Sequence, residues 1–532
     1  MEDHLKLLKY DSPIALSCDD TKLLAALHPY YDQELDGYYV IGHVGEPYHI
    51  ADVDPFHQVA ESGILEKATK VWVTSLRFNY TNLLSIVQLH LWCLQVPLPK
   101  VMPLIVAAMG ISNKLSAEEL FPHLWHIITG LLDRHIQITS YAADGSGVEC
   151  GVQQLLEEKA VKILTTKIKH PGKGCQDVFI NIPFFSTSPS LTPIANLQDS
   201  KHLLKTFQNN LFSDARLLTF PNGVAMFSQV CEMVFQNNSP LYHQDVEKLD
   251  HQDDNAATRL FCGDTLQWLK DNRSGHYSLI IYLFVFGELI DAYQSHTLSI
   301  TEHVQLVLCA QFFLEMWQKF LAVAGYPKVR HYISQQCADI TEILIKGFLK
   351  LVIIYRDHVE GSPPLFPWLL TTEVVEHIFG LCWQIVKDFM EKEFRDMVAK
   401  LFIKLWQAIF SFRESNGKAC TSGYNHTYMD MRGTNLSALS AYLTNEAMNE
   451  AATRAYGEAE SLFALLGVSA TELQSPSATA LPSINSWLED TDNPFDSQAV
   501  SEHEDLWDEE DKPTEDYQSF LDILENANLK SS

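Results

Sequence analysis

Apolar and polar positions follow two rhythms along this chain, and the change between them falls near residue 215. Before that point the apolar runs are short and bounded by turn residues or prolines. Ile14–Cys18 closes on Asp19-Asp20, Tyr38–Gly42 forms a second run, and Leu91–Val96 stops at Pro97 and Pro99. Ile136–Ala142 alternates and ends at Ala143-Asp144-Gly145. Each predicts a strand. Pro103–Gly110 and Ala117–Leu132 read as helices between them. Strands separated by helices predict an α/β unit with some parallel pairing.

Beyond residue 215 the pattern becomes helical. Residues 254–270, 277–296, 300–324 and 333–357 carry Leu, Phe, Ile and Trp at helical spacing, with no convincing strand among them. Gly361-Ser-Pro-Pro364 breaks the chain, a further helix starts near Thr372, and residues 445–466 predict another, rich in Ala and Glu. From about residue 472 the sequence turns Ser/Pro-rich and then acidic, a composition that predicts disorder. No internal repeat is visible.

Composition adds limits. The 532 residues exceed one ordinary domain, and 46% apolar content suffices for a sizeable core. Lys and Arg total 38 against 67 acids, a net charge of −29, which excludes a surface that coats nucleic acid throughout but leaves room for a local basic groove. Residues 489–532 alone hold fifteen acids and two lysines. The ten cysteines are scattered with no CxxC pair, and the charged start MEDHLKLLKYD is unlike a signal peptide, so neither a zinc knuckle nor a disulfide framework is expected. The longest apolar stretch, Tyr277–Phe286, is about half the twenty residues a membrane span needs. The expectation is a soluble intracellular chain without a transmembrane segment.

Candidate chemistry lies at the element ends. Asp19 and Asp20 close the first strand, Asp144 closes a later one, and Glu376 sits at the margin of the helical stripe Val375, Phe379, Cys382, Val386, Phe389. Neighbouring parallel strands bring their last residues together, the usual place for a site in an α/β sheet. Three or four such carboxylates suit Mg²⁺, and two ions about 4 Å apart serve phosphodiester chemistry. From spacing alone, the same acids also read as turn, cap and dipole residues. A second cluster, Asp199, His202 and Lys205 (or Lys201), shares one helical face. It reads either as support for a metal-bound carboxylate or phosphate, or as a solvated helix start capped by Asp199. Asp253-Asp254 and Glu288 read as structural, the former pair at a helix start.

Four segments in order, IALSCDDTKL, SYAADGSGVE, DSKHLLKTFQNNL and TTEVVEHIFG, resemble the catalytic landmarks of P-element-type transposases. The likeness runs over roughly residues 10–425 and is similar to transposase-like proteins of mushroom-forming fungi. It implies an RNase H-like mixed sheet with an Asp-Asp-Glu metal site, interrupted by a large helical insertion. The implied catalytic and metal residues are Asp19 (with Asp20 competing), Asp144 and Glu376, holding two Mg²⁺ or Mn²⁺ ions. Asp199, His202 and Lys205, with Asp20, fall in the supporting shell. The implied activity is DNA strand cleavage and transfer, with DNA as partner and the nucleus as location.

The implied organisation is a core over 1–215, a helical insertion domain over 216–365, a closing core segment over 366–425 carrying Glu376, a helical extension over 426–471 and a disordered acidic tail over 472–532. Within the core, Trp72–His90 reads as an inserted apolar stretch. Departures from the family pattern are Gln208 where an arginine is expected, Leu381, Cys382 and Trp383 after Gly380, and the lack of an N-terminal DNA-binding module. The densest basic run, Lys159, Lys162, Lys167, Lys169, His170 and Lys173, reads as a DNA-facing surface or as a solvated helix-and-loop surface. Trp487-Leu488, Leu506-Trp507 and Phe520–Leu524, set among acids, suit either a partner's groove or a purely solubilising tail. The alternative function is a non-enzymatic scaffold meeting protein partners through the insertion and the tail.

Overall fold

The structure, a computed structural model, describes residues 10–469 apart from 11–12, 25–26, 33–35, 42–47, 52–86, 99–100, 113–114, 188–189, 214, 237, 248–252 and 411–432. The acidic tail and residues 72–86 of the expected insertion therefore lie outside the described residues.

In chain order, strand β1 (Ile14–Lys22) is followed by a small antiparallel sheet of β2 (His28–Asp32), β3 (Gly37–Ile41) and β4 (Tyr48–Ile50). Next come β5 (Val87–Gln95), β6 (Leu104–Ser112), helix α1 (Ala117–Leu132), β7 (Ile138–Ala143) and helix α2 (Gly147–Glu158). Strands β8 (Lys162–Ile168), β9 (Val178–Thr187) and β10 (Ser190–Pro193) make a second antiparallel sheet, and β11 (Ala195–Gln198) leads into helix α3 (Ser200–Phe212). The central sheet has the order β11-β7-β1-β5-β6, parallel across β11, β7 and β1 and antiparallel across β1, β5 and β6.

The expected helix over Pro103–Gly110 is a strand, β6, paired with β5. A short apolar run fits either state, and here the ladder along β5 decides it. Residues 87–90, the end of the expected insertion, belong to β5 and pair with β6, and 88–90 pair with β1 as well. Of the basic run, Lys162 and Lys167 lie on β8, while Lys159 caps the end of α2 and Lys169, His170 and Lys173 follow in the loop before β9.

A short hairpin of β12 (Leu218–Phe220) and β13 (Gly223–Ala225) opens the second half, where no strand was expected. The helices that follow are α4 (Phe227–Val234), α5 (Gln244–Glu247), α6 (Asp254–Phe261), α7 (Gly263–Asn272), α8 (Tyr277–Gln294), α9 (Ile300–Ala324), α10 (Lys328–His331) and α11 (Gln335–Asp357). The chain then returns to the sheet with α12 (Glu373–Ile385) and α13 (Glu391–Phe410), and ends in α14 (Leu436–Leu439) and α15 (Asn445–Leu465).

The long helices are apolar on most sides because neighbours surround them. Helix α9 has the length and hydropathy of a membrane span, yet Val304, Leu308, Phe312, Phe313, Trp317 and Leu321 are buried among its neighbours. Several of their polar groups are satisfied internally, as buried polar groups generally are, although His303 Nε2 of α9 is buried without a hydrogen bond. Tyr282 donates to the Phe207 carbonyl at 2.8 Å, Tyr293 to that of Leu344 at 2.7 Å, and Trp317 to that of Thr219 at 2.7 Å. Helix α11 packs directly on edge strand β11. Gly347 permits that approach: a Cβ there would lie 2.4 Å from the Asn196 carbonyl oxygen.

The central sheet has two differently covered faces, set by the period-2 alternation of β1 and β5. Ile14, Leu16 and Cys18, with Trp92 and Leu94, pack with Leu120, Leu124 and Ile128 of α1 and Val152 and Leu156 of α2. Leu89, Leu91 and Cys93 pack on the other face with Val375, Ile378, Phe379 and Cys382 of α12 and Met397 and Leu401 of α13.

Candidate metal centre at the sheet edge

Strand pairing aligns three aspartates. In the parallel ladders Ser17 lies opposite Ala142, and Ala143 opposite Gln198. Carried forward past the last paired residues of the parallel ladders, that register sets Asp19, inside β1, beside Asp144, and Asp144 beside Asp199, one row across the three strands. The Asp199 N–H donates to the Ala143 carbonyl at 2.9 Å, so the ladder continues to the row itself. Glu376 joins from above: it lies in the first turn of α12, whose apolar stripe is pinned to β1 and β5 by Val375, Phe379 and Cys382.

The carboxyls sense one another. Burial raises the Asp19 pKa well above the ordinary carboxylate range, and the charges of Glu376, Asp144 and Asp20 raise it further. Burial together with Asp199 and Asp254 pushes Glu376 up to about 8, against the opposing pull of Lys205 and Lys201. Crowded like charges at a half-buried site favour protonation, or a cation that replaces the proton.

Six acids meet here, and their partners divide them. Asp199 is the N-cap of α3 and accepts from the backbone N–H groups of Lys201 at 3.2 Å and His202 at 3.0 Å. It caps the helix as one reading of the sequence expected, but it is buried rather than solvated. Glu373 pairs with Lys201 at 3.2 Å, and Asp254 with Lys205 at 2.9 Å. The remaining three have no ion-pair partner among the described residues. Asp19 accepts the Asp20 N–H at 2.7 Å, Asp144 accepts that of Ser146 at 2.9 Å, and Glu376 keeps a buried Oε2 without a hydrogen bond.

The charges of Asp254 and Glu376 outweigh burial and hold the Lys205 ammonium above its ordinary pKa. Burial and the nearby Lys205 keep His202 below its ordinary value, although Asp144 pulls the other way. Asp254 does start a helix, with Asp253 as the N-cap, but it also belongs to this cluster. The signal for it was absent from the sequence, because α6 reaches the sheet edge only through the fold.

Asp20, one residue along β1, points to the opposite face. It lies across from His90 in the antiparallel ladder and hydrogen-bonds its Nδ1. His90 Nε2 faces Glu149 Oε1 of α2 at 3.7 Å, Tyr141 donates to Glu149 Oε2 at 2.9 Å, and Cys18 Sγ lies 3.1 Å from the Tyr141 hydroxyl. Asp20 and Glu149 together overcome burial to raise the pKa of His90, while burial, tempered by His90, pushes Glu149 up to about 7. Cys18, His90 and Glu149 form a compact Cys/His/Glu group.

No protein-family model matches the chain, and no curated protein matches it. Among solved structures it is similar to the Drosophila P element transposase strand transfer complex, at 13% identity over 76% of this chain and 77% of that one, with a TM-score of 0.43.

The basic run is not drawn into either cluster as a unit. Helix α2 carries the chain about 18 Å from its start beside Asp144 before Lys159 is reached. Lys159 stands over the Phe121 ring, Lys162 over that of Phe184, and Lys167 pairs with Asp177 at 3.0 Å. His170 is buried, 3.0 Å from Glu315 and edge-on to Phe312 and Tyr456, so it faces protein rather than solvent. Lys169 is tied through its backbone N–H to Asn449 at 2.8 Å.

Gln208, Leu381 and Cys382 are buried, so their lack of charge reflects interior packing rather than a weakened DNA-facing surface. Trp383 alone of the four departures is exposed.

Proposed function

We propose that this chain is a transposase-like protein whose sheet edge cleaves and joins DNA phosphodiesters with a divalent cation. One observation carries the reading: Asp19 and Asp144 align across parallel strands β1 and β7, the charge of Glu376 on α12 acts on Asp19, and among the described residues none of the three has an ion pair or caps a helix. Their donor set is all oxygen, which suits Mg²⁺ or Mn²⁺. The orphaned Glu376 Oε2 and the raised pKa values of Asp19 and Glu376 fit a site built for added positive charge.

Bound there, two such ions would activate the attacking oxygen and stabilise the leaving one. The protein's own residues set the frame. Asp199 fixes the start of α3 and so the placement of Lys201, His202 and Lys205. Lys201 and Lys205 neutralise Glu373 and Asp254, which keeps those two acids from competing as ligands. His202, held neutral near pH 7, would orient Asp144 without adding charge. DNA is the partner this reading requires, and the nucleus its location. Lys159, Lys162, Lys167, Lys169 and Lys173 are the proposed contacts to the DNA backbone; His170, buried against Glu315, is not among them.

The test is metal-dependent nicking and strand transfer by the full chain on duplex DNA. Asp144→Asn and Glu376→Gln should each lower the rate about 10³-fold, a loss of several kcal/mol of transition-state stabilisation. Equal background in wild type and both variants would overturn the proposal and favour a non-enzymatic scaffold.

A further inference from the structure

The second cluster, on the opposite face of β1, has no part in that reaction, and its chemistry differs. We infer that Cys18, His90 and Glu149 form a structural zinc site that clamps β1, β5 and α2 together behind the catalytic edge.

The argument starts from the donor atoms. Cys18 Sγ, His90 Nε2 and a Glu149 carboxylate oxygen lie within 4.8 Å of one another, and all three residues are buried. Tetrahedral zinc with such ligands, at about 2.0–2.3 Å each, needs donors separated by roughly 3.3–3.8 Å. His90 Nε2 and Glu149 Oε1 already stand 3.7 Å apart. Both atoms are buried without a hydrogen-bond partner, although each faces the other. Leaving two such atoms unsatisfied is costly, and a shared cation removes both costs at once.

The surrounding groups point the ligands inward. With its Nδ1–H donated to Asp20, neutral His90 would present the Nε2 lone pair to a cation in the cluster. This is the carboxylate–histidine arrangement that orients metal-bound imidazoles. Tyr141 occupies Glu149 Oε2 and so turns Oε1 toward His90. The Trp92 ring stands edge-on to His90 with centroids 4.1 Å apart and limits its rotation. The mixed sulfur, nitrogen and oxygen set selects zinc over magnesium. The fourth position falls to a water or to the Tyr141 oxygen.

This inference does not depend on the chain cutting DNA, and the experiment separates the two. The full chain, expressed with zinc and dialysed, is assayed for metal content, then reconstituted with Co²⁺ and scanned for a thiolate-to-cobalt band. About one zinc per chain is expected, with a cobalt–thiolate band that Cys18→Ser abolishes. His90→Gln and Glu149→Gln should weaken zinc binding at least about 10-fold. Asp144→Asn should retain both zinc and the band even if it loses all cleavage. A chain that carries no zinc and shows no cobalt–thiolate band overturns the site, as does a band that survives Cys18→Ser. If Cys18→Ser does not fold, unchanged zinc affinity in His90→Gln and Glu149→Gln overturns it equally.

Discussion

The two faces of β1 hold acids one residue apart in sequence and opposite in circumstance. Asp19 shares its side with Asp144, Asp199, Asp254, Glu373 and Glu376, an oxygen-only gathering with two lysines in which Asp19, Asp144 and Glu376 are half-buried. Asp20 shares the other side with His90, Glu149, Tyr141 and Cys18, a mixed set sealed beneath α2. The first is over-supplied with like charge and strained by it. The second is a chain of complementary partners with one gap. Like-charge crowding is what a site for external cations and phosphates requires, and complementarity is what a structural joint requires.

Removing a partner from each side should therefore give opposite results. His90→Ala strands the buried Glu149 and the half-buried Asp20 without their histidine, and should cost about 3–5 kcal/mol in chemical denaturation. A cost below about 1 kcal/mol would mean the cluster is not a joint. Asp19→Asn relieves the crowded side and should stabilise the metal-free protein by about 0.5–2 kcal/mol while it abolishes cleavage. Destabilisation by Asp19→Asn would break the comparison at its root.

Acidity sharpens it further, with the smallest effect. Glu376 has a folded pKa of about 8 against an ordinary 4.5, so between those values the folded chain keeps a proton that the unfolded chain has lost. Its contribution is fullest at low pH and declines as pH rises toward 8. His303, deep in the helical half, is pushed by burial down to about 4, with its Nδ1 2.8 Å from the Ala292 carbonyl. There the unfolded chain takes up the proton, so stability is full above about pH 6.5 and is lost as pH falls toward 4. Denaturation in chelator should show stability falling from about pH 6 to pH 8, less steeply in Glu376→Gln, and Mg²⁺ should stabilise more at the higher pH. A flat profile that Mg²⁺ leaves unchanged would count against the crowded site.

Much of this was legible because it is local. Helical spacing predicted α8, α9, α11 and α15 almost to the residue, since a long apolar periodicity has one reading. The end of β7 was marked by Asp144, whereas β1 runs past Asp19 and Asp20 to Lys22, because pairing with β5 extends it. What escaped depends on pairing across distance. Nothing local distinguishes Asp19 from Asp20 until β5 is laid beside β1 and His90 falls opposite Asp20. His90 was passed over because its segment read as an insertion, although the alternation His90, Trp92, Leu94 was a strand signal. Glu149 lay inside a helix with no neighbour in sequence to suggest a role. Strand β6 failed for another reason: a run of about eight apolar residues fits a strand or a buried helix equally.

Helix α11 meets strand β11 backbone to side chain, with no room for a β-carbon at Gly347. Strand β11 is an outer member of the central sheet, and its outer margin would otherwise offer free amides and carbonyls to any passing chain. The helical half thus acts as a guard rail for the sheet's adhesive border. A shortened chain that joined residue 215 directly to residue 366 would keep Asp19, Asp144, Asp199, Glu373 and Glu376, lose Asp254 as the partner of Lys205, and expose that border, so its first failure would be clumping rather than lost chemistry.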